Sequence, residues 1–460
     1  MREIIQVNIG EAGIRIGDNL IRKLYSNLKE QDIFFEKLNE SNNQYGNKDI
    51  QRLYQESMTN GLIKPRAVFF DLDPESQNIL TNSIQDKLIN TESTYFGLES
   101  SANNCIRGEI TIGKDILENC MEIILRQAEQ CDNIQGVIVN HSISGGTGSG
   151  LGGSLISRIQ IELGIKACMS NMIFPSNNAV DEIIVSPYNA VYGMHTCMEY
   201  LSIGNVITNV GLQNHCRYNK RIENPGIPEI NDLITDGLSI LFQHLMQRNT
   251  SGRVLDLQDL CNSLQQLPDL RYMTPSLVVD TYSSLMYSDE KTIANELTKS
   301  AFDKSYQFNH GAYSKLQDAI PQSFQVSSHM YSGQAQIRDV MTTLKQMTTV
   351  IQQKSEPQMY LMNDNFFVSI QDSLIARRDE EEYSKLKVFS LSQDYAMVNV
   401  FQELAENFDK LYSKRAFLHW YLGEGPSEGF FGESREDLAN IIQRYEENYN
   451  QNQNSVHIDE

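Results

Sequence analysis

A chain of 460 residues is too long for one hydrophobic core and suits two or three domains folded against each other. A hydrophobic share of 40% with 21% charged residues excludes wholesale disorder, and no apolar run suits a membrane span, so a soluble protein with no membrane partner is expected. With 38 basic against 59 acidic residues the net charge is −21, which would repel a phosphate backbone and argues against nucleic acid as a partner.

The start, Met1-Arg2-Glu3 before Ile4-Ile5, lacks the apolar stretch and cleavage site of a signal peptide. Seven cysteines (Cys105, Cys120, Cys131, Cys168, Cys197, Cys216, Cys261) are scattered and never spaced as CxxC. They read as reduced thiols of a cytoplasmic protein, without disulfides or a zinc site.

Glu3 to Ile9 is a β-branched run ending at Gly10, after which Ile14, Ile16, Leu20, Ile21 and Leu24 recur at helical spacing. Strand, glycine turn, helix is the grammar. Between Gln31 and Gly61 a segment rich in Asn, Gln and Glu reads as a surface excursion. Ala67 to Leu72 is a second apolar run, closed by Asp71-Leu72-Asp73-Pro74. Gly136 to Asn140 is a third, entering a glycine-rich loop and then a helix around Leu151 to Leu163. Alternating strands and helices predict a mainly parallel sheet covered on both faces, with ligands at the carboxyl ends of the strands. Beyond about Leu264 the pattern suggests a second α/β domain. From Asp394 two helices, joined through Gly423-Glu424-Gly425-Pro426, are expected to close the chain, and the Asn- and Gln-rich residues from Asn448 to Glu460 are expected to be disordered.

The stretch that carries most chemistry is Ser144-Gly145-Gly146-Thr147-Gly148-Ser149-Gly150. Glycines let backbone N–H groups converge, and the following helix start adds positive dipole, so the loop can wrap phosphate oxygens. It lacks the Gly-Lys-Ser/Thr ending of a Walker loop and is not the GxGxxG of dinucleotide folds. His141 and His419 read as packed side chains of strand and helix, not as catalysts.

This loop resembles the tubulin signature, Gly/Ala/Ser-Gly-Gly-Thr-Gly-Ser/Ala-Gly, at every position. So do Met1-Arg2-Glu3 with Gly10, Ala12, Gly13, Ile16 and Gly17; Pro65 to Phe69 with Asp71 to Pro74; Ala102-Asn103-Asn104 with Arg107-Gly108 and Thr111 to Lys114; Pro187-Tyr188-Asn189; and Lys414 to Tyr421 with Gly423 to Gly425. The last block is absent from the FtsZ relatives. The resemblance covers almost the whole chain and implies an α/β fold with a three-layer nucleotide-binding domain of tubulin/FtsZ type over residues 1–210. A second α/β domain with a connecting helix would follow over 211–390, then a C-terminal helical hairpin over 391–447 and the tail 448–460.

It further implies GTP and Mg2+ as cofactors. Gly10, Glu11, Ala12 and Gly13 would form a first phosphate loop, and Ser144, Gly145, Gly146, Thr147, Gly148 and Ser149 a second. Asp71 and Asp73 would face the metal and Asn103 the γ-phosphate, with Ser186 near the ribose and Asn209 and Asn231 on the guanine edge. Lys414-Arg415-Ala416-Phe417 and Asp256-Leu257-Gln258-Asp259-Leu260 resemble the α type more than the β. Asp259 then stands where the α type has a glutamate that reaches the neighbouring β subunit and helps position the water attacking its GTP. The implied partners are β-tubulin or a β-like tubulin and the microtubule lattice; a specialised basal-body or centriolar tubulin is the alternative. Glu11 and Arg15 replace glutamines of the family, Ile227 the tyrosine that stacks on the base, and Ser186 a glutamate; the Arg15 guanidinium is a candidate to stack instead.

Overall fold

The computed structural model describes residues 2–30, 50–56, 63–86, 88–165, 167–176, 183–247, 254–265, 267, 270–279, 290–313, 320, 322–333, 335–351, 360–361, 366–371 and 386–456. Most of the polar stretch from Gln31 to Gly61 lies outside them.

The first half alternates as expected: β1 (Glu3–Ile9), α1 (Gly10–Glu30), the small pair β2 (Tyr54–Glu56) and β3 (Ile63–Pro65), β4 (Ala67–Asp71), α2 (Thr81–Gln85), β5 (Thr94–Phe96), α3 (Ile112–Glu129), β6 (Ile134–Ser142), α4 (Gly152–Leu163), β7 (Ala167–Phe174), α5 (Ser186–Cys197), β8 (Ile203–Thr208), α6 (Asn209–Tyr218) and α7 (Ile227–Met246). Then come α8 (Leu257–Leu264), β9 (Tyr272–Val279), α9 (Glu290–Ser300), β10 (Ser323–Ser332), α10 (Ile337–Ile351), β11 (Tyr360–Leu361), β12 (Phe366–Gln371), β13 (Lys387–Asp394), α11 (Val398–Tyr412), α12 (Leu418–Leu422) and α13 (Gly429–Val456).

Among the described residues eleven strands form one sheet. Its parallel half runs β5-β4-β1-β6-β7-β8. β8 continues it through Gly204↔Tyr272 and Asn205↔Met273 into β9, where the sheet turns mixed: β13 lies antiparallel to both β9 and β10, and β10 is parallel to β11 and β12.

Strands buried on both faces explain the near-continuous apolar runs of the sequence. Ile5, Val7 and Ile9 join Ile116, Cys120 and Ile124 of α3 and Ile156 of α4 on one side. Ile4 faces the other side with Ile16, Leu20 and Leu24 of α1 and Leu233, Ile234 and Leu238 of α7. The second layer has an unusual polar strip at its centre. Asn140 donates to Asn8 at 2.8 Å, Asn171 to Asn140 at 2.7 Å and Asn205 to Asn171 at 2.7 Å, while Asn8 itself donates to the Val68 carbonyl at 3.2 Å. The four amides sit at paired register positions of adjacent strands and are buried.

Three helices close the described chain where two were expected, because α12 interrupts the connection as a short turn of its own. Disorder from Asn448 does not hold for 448–456 either: α13 runs to Val456. Tyr445 and Tyr449, one turn apart, are buried, with the Tyr449 ring 5.7 Å from Tyr395. Docking by that pair outweighs the polar composition around it. Tyr188 of α5 fastens the helices to the sheet domain, its ring 5.3, 5.5 and 5.6 Å from Phe408, Tyr421 and Phe431.

Candidate functional site

Two strand-to-helix turns meet at the carboxyl ends of β1 and β6. Gly10, at φ +72°, turns β1 into α1, and an L side chain there would be strained. Beside it the chain leaves β6 and enters α4 through a widened turn, Thr147–Leu151; a second widened turn, Arg107–Thr111, precedes α3. The two interlock glycine to backbone. A methyl at Gly108 would overlap the Gly146 carbonyl, and one at Gly150 would overlap the Cys105 carbonyl and lie 2.9 Å from the Glu109 amide nitrogen. The result is a cleft of about 230 Å3 lined by Gly10, Glu11, Ala12, Asp71, Asp73, Ser100, Ser101, Asn103, Ser142 and the run Gly145-Gly146-Thr147-Gly148.

Its glycines do different work. At Gly148 an added Cβ would overlap the Ser142 carbonyl oxygen, and at Gly146 it would come within 2.6 Å of the Asn104 amide nitrogen, so these keep the loop closed on itself. At Gly145 an added Cβ would meet nothing within 4 Å. No neighbour within the protein demands a glycine there, whereas a ligand approaching the backbone does. First-turn N–H groups at a helix start have no intrahelical partner, so the open face of the loop fits phosphate oxygens.

The carboxylates divide in the same way. Asp71 is buried and already occupied: its oxygens accept from the amides of Leu72 (2.7 Å) and Asp73 (3.4 Å) and from the Ser76 hydroxyl (2.5 Å). Burial raises its pKa, and the Ser76 and Thr147 hydroxyls with the two amides offset part of that. Asp73, half-buried, caps the next turn by accepting from the Glu75 amide at 2.9 Å and also lines the cleft. Among the described residues no three His, Cys, Asp or Glu side chains could hold a metal by themselves. One or two carboxylates completed by phosphate oxygens and water is the donor set magnesium takes. Opposite them Ala102 and Asn103 both have positive φ, +48° and +57°, a costly pair that puts Asn103 at the cleft wall.

The comparisons with known proteins bear on this cleft directly. Residues 3–217 match the Tubulin/FtsZ family, GTPase domain. The chain is also 31% identical over 456 residues to the protein named Tubulin alpha-1 chain from Arabidopsis thaliana, covering 97% of this chain and 96% of that one. The chain belongs to the tubulin family. It is a divergent, α-tubulin-like member, and its fold is the tubulin fold.

Set against the tubulin-like expectations, several residues fall outside the cleft lining. Gly13 lies beneath it, where a Cβ would overlap the Asn140 carbonyl; its role is the close approach of α1 to β6. Ser144 and Ser149 face inward, the Ser149 hydroxyl donating to the carbonyls of Gly145 and Gly146. Ser186 instead lines an adjoining pocket of about 370 Å3 with Ile183, His310 and Glu403, and Ile183 belongs to both cavities. Asn209 begins α6 and Asn231 sits buried in the second turn of α7. Ile227 starts α7 with 58% of its surface exposed. Arg15 pairs through its guanidinium edge with Glu11 one turn earlier at 2.6 Å, offsetting the charge that Glu11 brings to the cleft lining. His141 is packed as expected, between the Gly148 carbonyl (2.7 Å) and the Ser170 hydroxyl (2.8 Å), and burial lowers its pKa to about 4. His419 is exposed, beside the Trp420 ring at 5.1 Å, so its packed reading is corrected.

Asp259 lies at the other pole. Asp256 caps α8 through the Gln258 amide at 3.0 Å, and it also accepts from Arg2, just ahead of β1, and Gln135, at the start of β6. Asp259 follows in the first turn of α8 and is exposed. The strand length alone, seven residues in β1, separates this pole from the cleft by about 23 Å.

The sequence reading passed over Asn189 as a site residue. Completely buried in the first turn of α5, it hydrogen-bonds both loops of the cleft. An Asn inside an apolar helix start gives no such signal by itself.

Proposed function

We propose that this chain binds GTP with Mg2+ in the cleft and assembles head to tail with β-tubulin or a β-like tubulin into the microtubule lattice. Gly10, Ala12, the Gly145–Gly148 backbone and Asn103 would hold the phosphates, with Asp71 and Asp73 on the metal side. The guanosine end would lie toward Ser186, Asn209 and Asn231. Bound magnesium would neutralise charge on the phosphate oxygens. Acting in trans, Asp259 would orient water at the GTP of the next subunit. Localisation would follow, in the cytoplasmic cytoskeleton.

One observation carries the reading: an exposed carboxylate is presented by a capped helix at the pole opposite the chain's own cleft. Too far to serve that cleft, Asp259 meets a nucleotide only when a second subunit stacks its cleft end there. Such a contact is heterologous and propagates into a filament. A carboxylate at a helix start is itself favoured by the helix dipole, so it costs the chain little to present it. Naming the nucleotide released when the purified chain is denatured tests the binding half of the proposal. One GTP per chain supports it; an empty cleft refutes it. No helix among the described residues is long and apolar enough to cross a membrane.

The specialised alternative, a basal-body or centriolar tubulin that docks on a lattice without being its bulk subunit, is favoured by the exposed Ile227, where the family stacks an aromatic ring on the base. Equal copurification with β-tubulin and incorporation along whole microtubules would exclude it.

A further inference from the structure

The buried Asn189 side chain uses all of its near hydrogen-bonding capacity to join three parts of the molecule. Its Nδ2 donates to the Asn103 carbonyl at 2.8 Å and to the Ser144 carbonyl at 2.9 Å, one on each side of the cleft. Its Oδ1 accepts from the Cys105 amide at 3.1 Å and from the Tyr421 hydroxyl at 2.8 Å. Tyr421 belongs to α12, the short helix that splits the C-terminal connection. A second, parallel link runs from the cleft side: Asn104 donates to the Trp420 carbonyl at 3.1 Å, while its Oδ1 accepts from the amides of Ile106 and Arg107 at 3.0 and 3.2 Å. A third joins the Thr111 hydroxyl to Glu424 at 2.6 Å.

The same turn that receives these bonds shows its other face to solvent. Trp420 is 66% exposed, and Phe417, held at φ +59°, is exposed as well. Next to Asn189, Tyr188 donates its hydroxyl to the Ala416 carbonyl at 3.0 Å, so neighbouring side chains of α5 grip both ends of the 416–421 turn. A displacement of the Ser144 or Asn103 carbonyl is therefore passed directly to Tyr421: Asn103 itself is exposed, but Ser144, Asn189 and Tyr421 are buried and bonded to one another.

We propose that Asn189 is a positioning residue that couples the state of the phosphate cleft to the exposed Trp420 turn, through Ser144 and Asn103 on one side and Tyr421 on the other. The coupling rests on the nucleotide reading above. It is reciprocal, so whatever immobilises the Trp420 face also changes the affinity of the cleft.

The chain carries its own reporter, because Trp420 is its single tryptophan. The full-length protein is titrated with Mg-GTP and with Mg-GDP, binding being followed by equilibrium dialysis and the Trp420 turn by its emission and its quenching by acrylamide. In the unaltered chain emission and quenching are expected to differ between the GTP- and GDP-loaded forms. Tyr421→Phe removes only the hydroxyl that meets Asn189. It should abolish that difference and weaken GTP binding about fivefold, while thermal unfolding stays close to that of the parent. Asn189→Asp keeps the acceptor and loses the two donated bonds, and should give the same loss with a larger drop in affinity; if it does not fold, Tyr421→Phe decides alone. Unequal GTP and GDP emission that survives in Tyr421→Phe, or equal emission in the parent with both nucleotides bound, overturns the coupling. A parent that takes up no GTP in dialysis overturns the nucleotide reading itself, and the coupling with it.

Discussion

The two poles of the parallel half-sheet are built on opposite principles. The carboxyl pole is shaped by groups that are missing: Cβ atoms at Gly146 and Gly148 would collide with backbone, and one at Gly10 would be strained by its positive φ, leaving main-chain amides to face the cleft. At the amino pole one exposed side chain, Asp259, projects from a helix whose start is fixed by Asp256. A cradle must be complete within its own subunit, whereas a projecting acid would act, in the role proposed for Asp259, only once another subunit arrives. On the proposed function, half of the site for hydrolysis would be lodged in each partner.

The largest effect is expected from Gly148→Ala, whose methyl would overlap the Ser142 carbonyl with no flexible side chain to yield; chemical denaturation should show a loss of about 3 kcal/mol. Gly145→Ala sharpens the point, since its methyl meets only open space. It should leave stability unchanged and weaken GTP binding about tenfold, as a substitution that obstructs the ligand alone would.

At the other pole, Asp259→Ala should leave stability and the chain's own nucleotide content unaltered. Phosphate release from copolymers with β-tubulin should slow about a hundredfold, the lower range for a lost acid–base group. Equal turnover by the variant would remove Asp259 from the chemistry. Asp256→Ala should lower unfolding free energy by about 1 kcal/mol, the usual cost of a lost helix cap.

A smaller effect separates the glycine turns from the helices behind them. Glu109, on the widened turn that interlocks with the glycine loop, meets the hydroxyls of Tyr192 and Ser154, and burial raises its pKa from 4.5 to about 7. Between those values the folded chain keeps a proton that the unfolded chain has released, so stability falls as pH rises from 4.5 to 7. Glu109→Gln should therefore match the parent near pH 4 and exceed it by on the order of 1 kcal/mol at pH 8, by thermal unfolding at both pH values.

What was legible in the sequence follows the same division. Apolar runs buried on both faces and a seven-residue glycine loop are local patterns, and they located the sheet and the cleft. The Glu11–Arg15 pair was equally local, four residues apart on a helix, yet comparison with family glutamines drew attention to what each had lost instead of to each other. Asn189 was illegible because its four partners come from three separate segments, which only folding brings together. For residues 448–456, composition pointed to disorder while a single pair, Tyr445 and Tyr449, carried the contrary information.

The strip of four asparagines across β1, β6, β7 and β8 constrains how such a chain can change over time. Each interior amide both gives and takes a bond, so altering Asn140 or Asn171 alone severs two bonds and strands a buried donor or acceptor, at a cost of about 1–3 kcal/mol. Replacing the whole strip with aliphatic side chains would strand only the groups at its end, the Gln6 amide and the Val68 carbonyl that bond Asn8. Descent from one arrangement to the other crosses a stability valley, and sequences related to this one should hold all four amides or have exchanged them together.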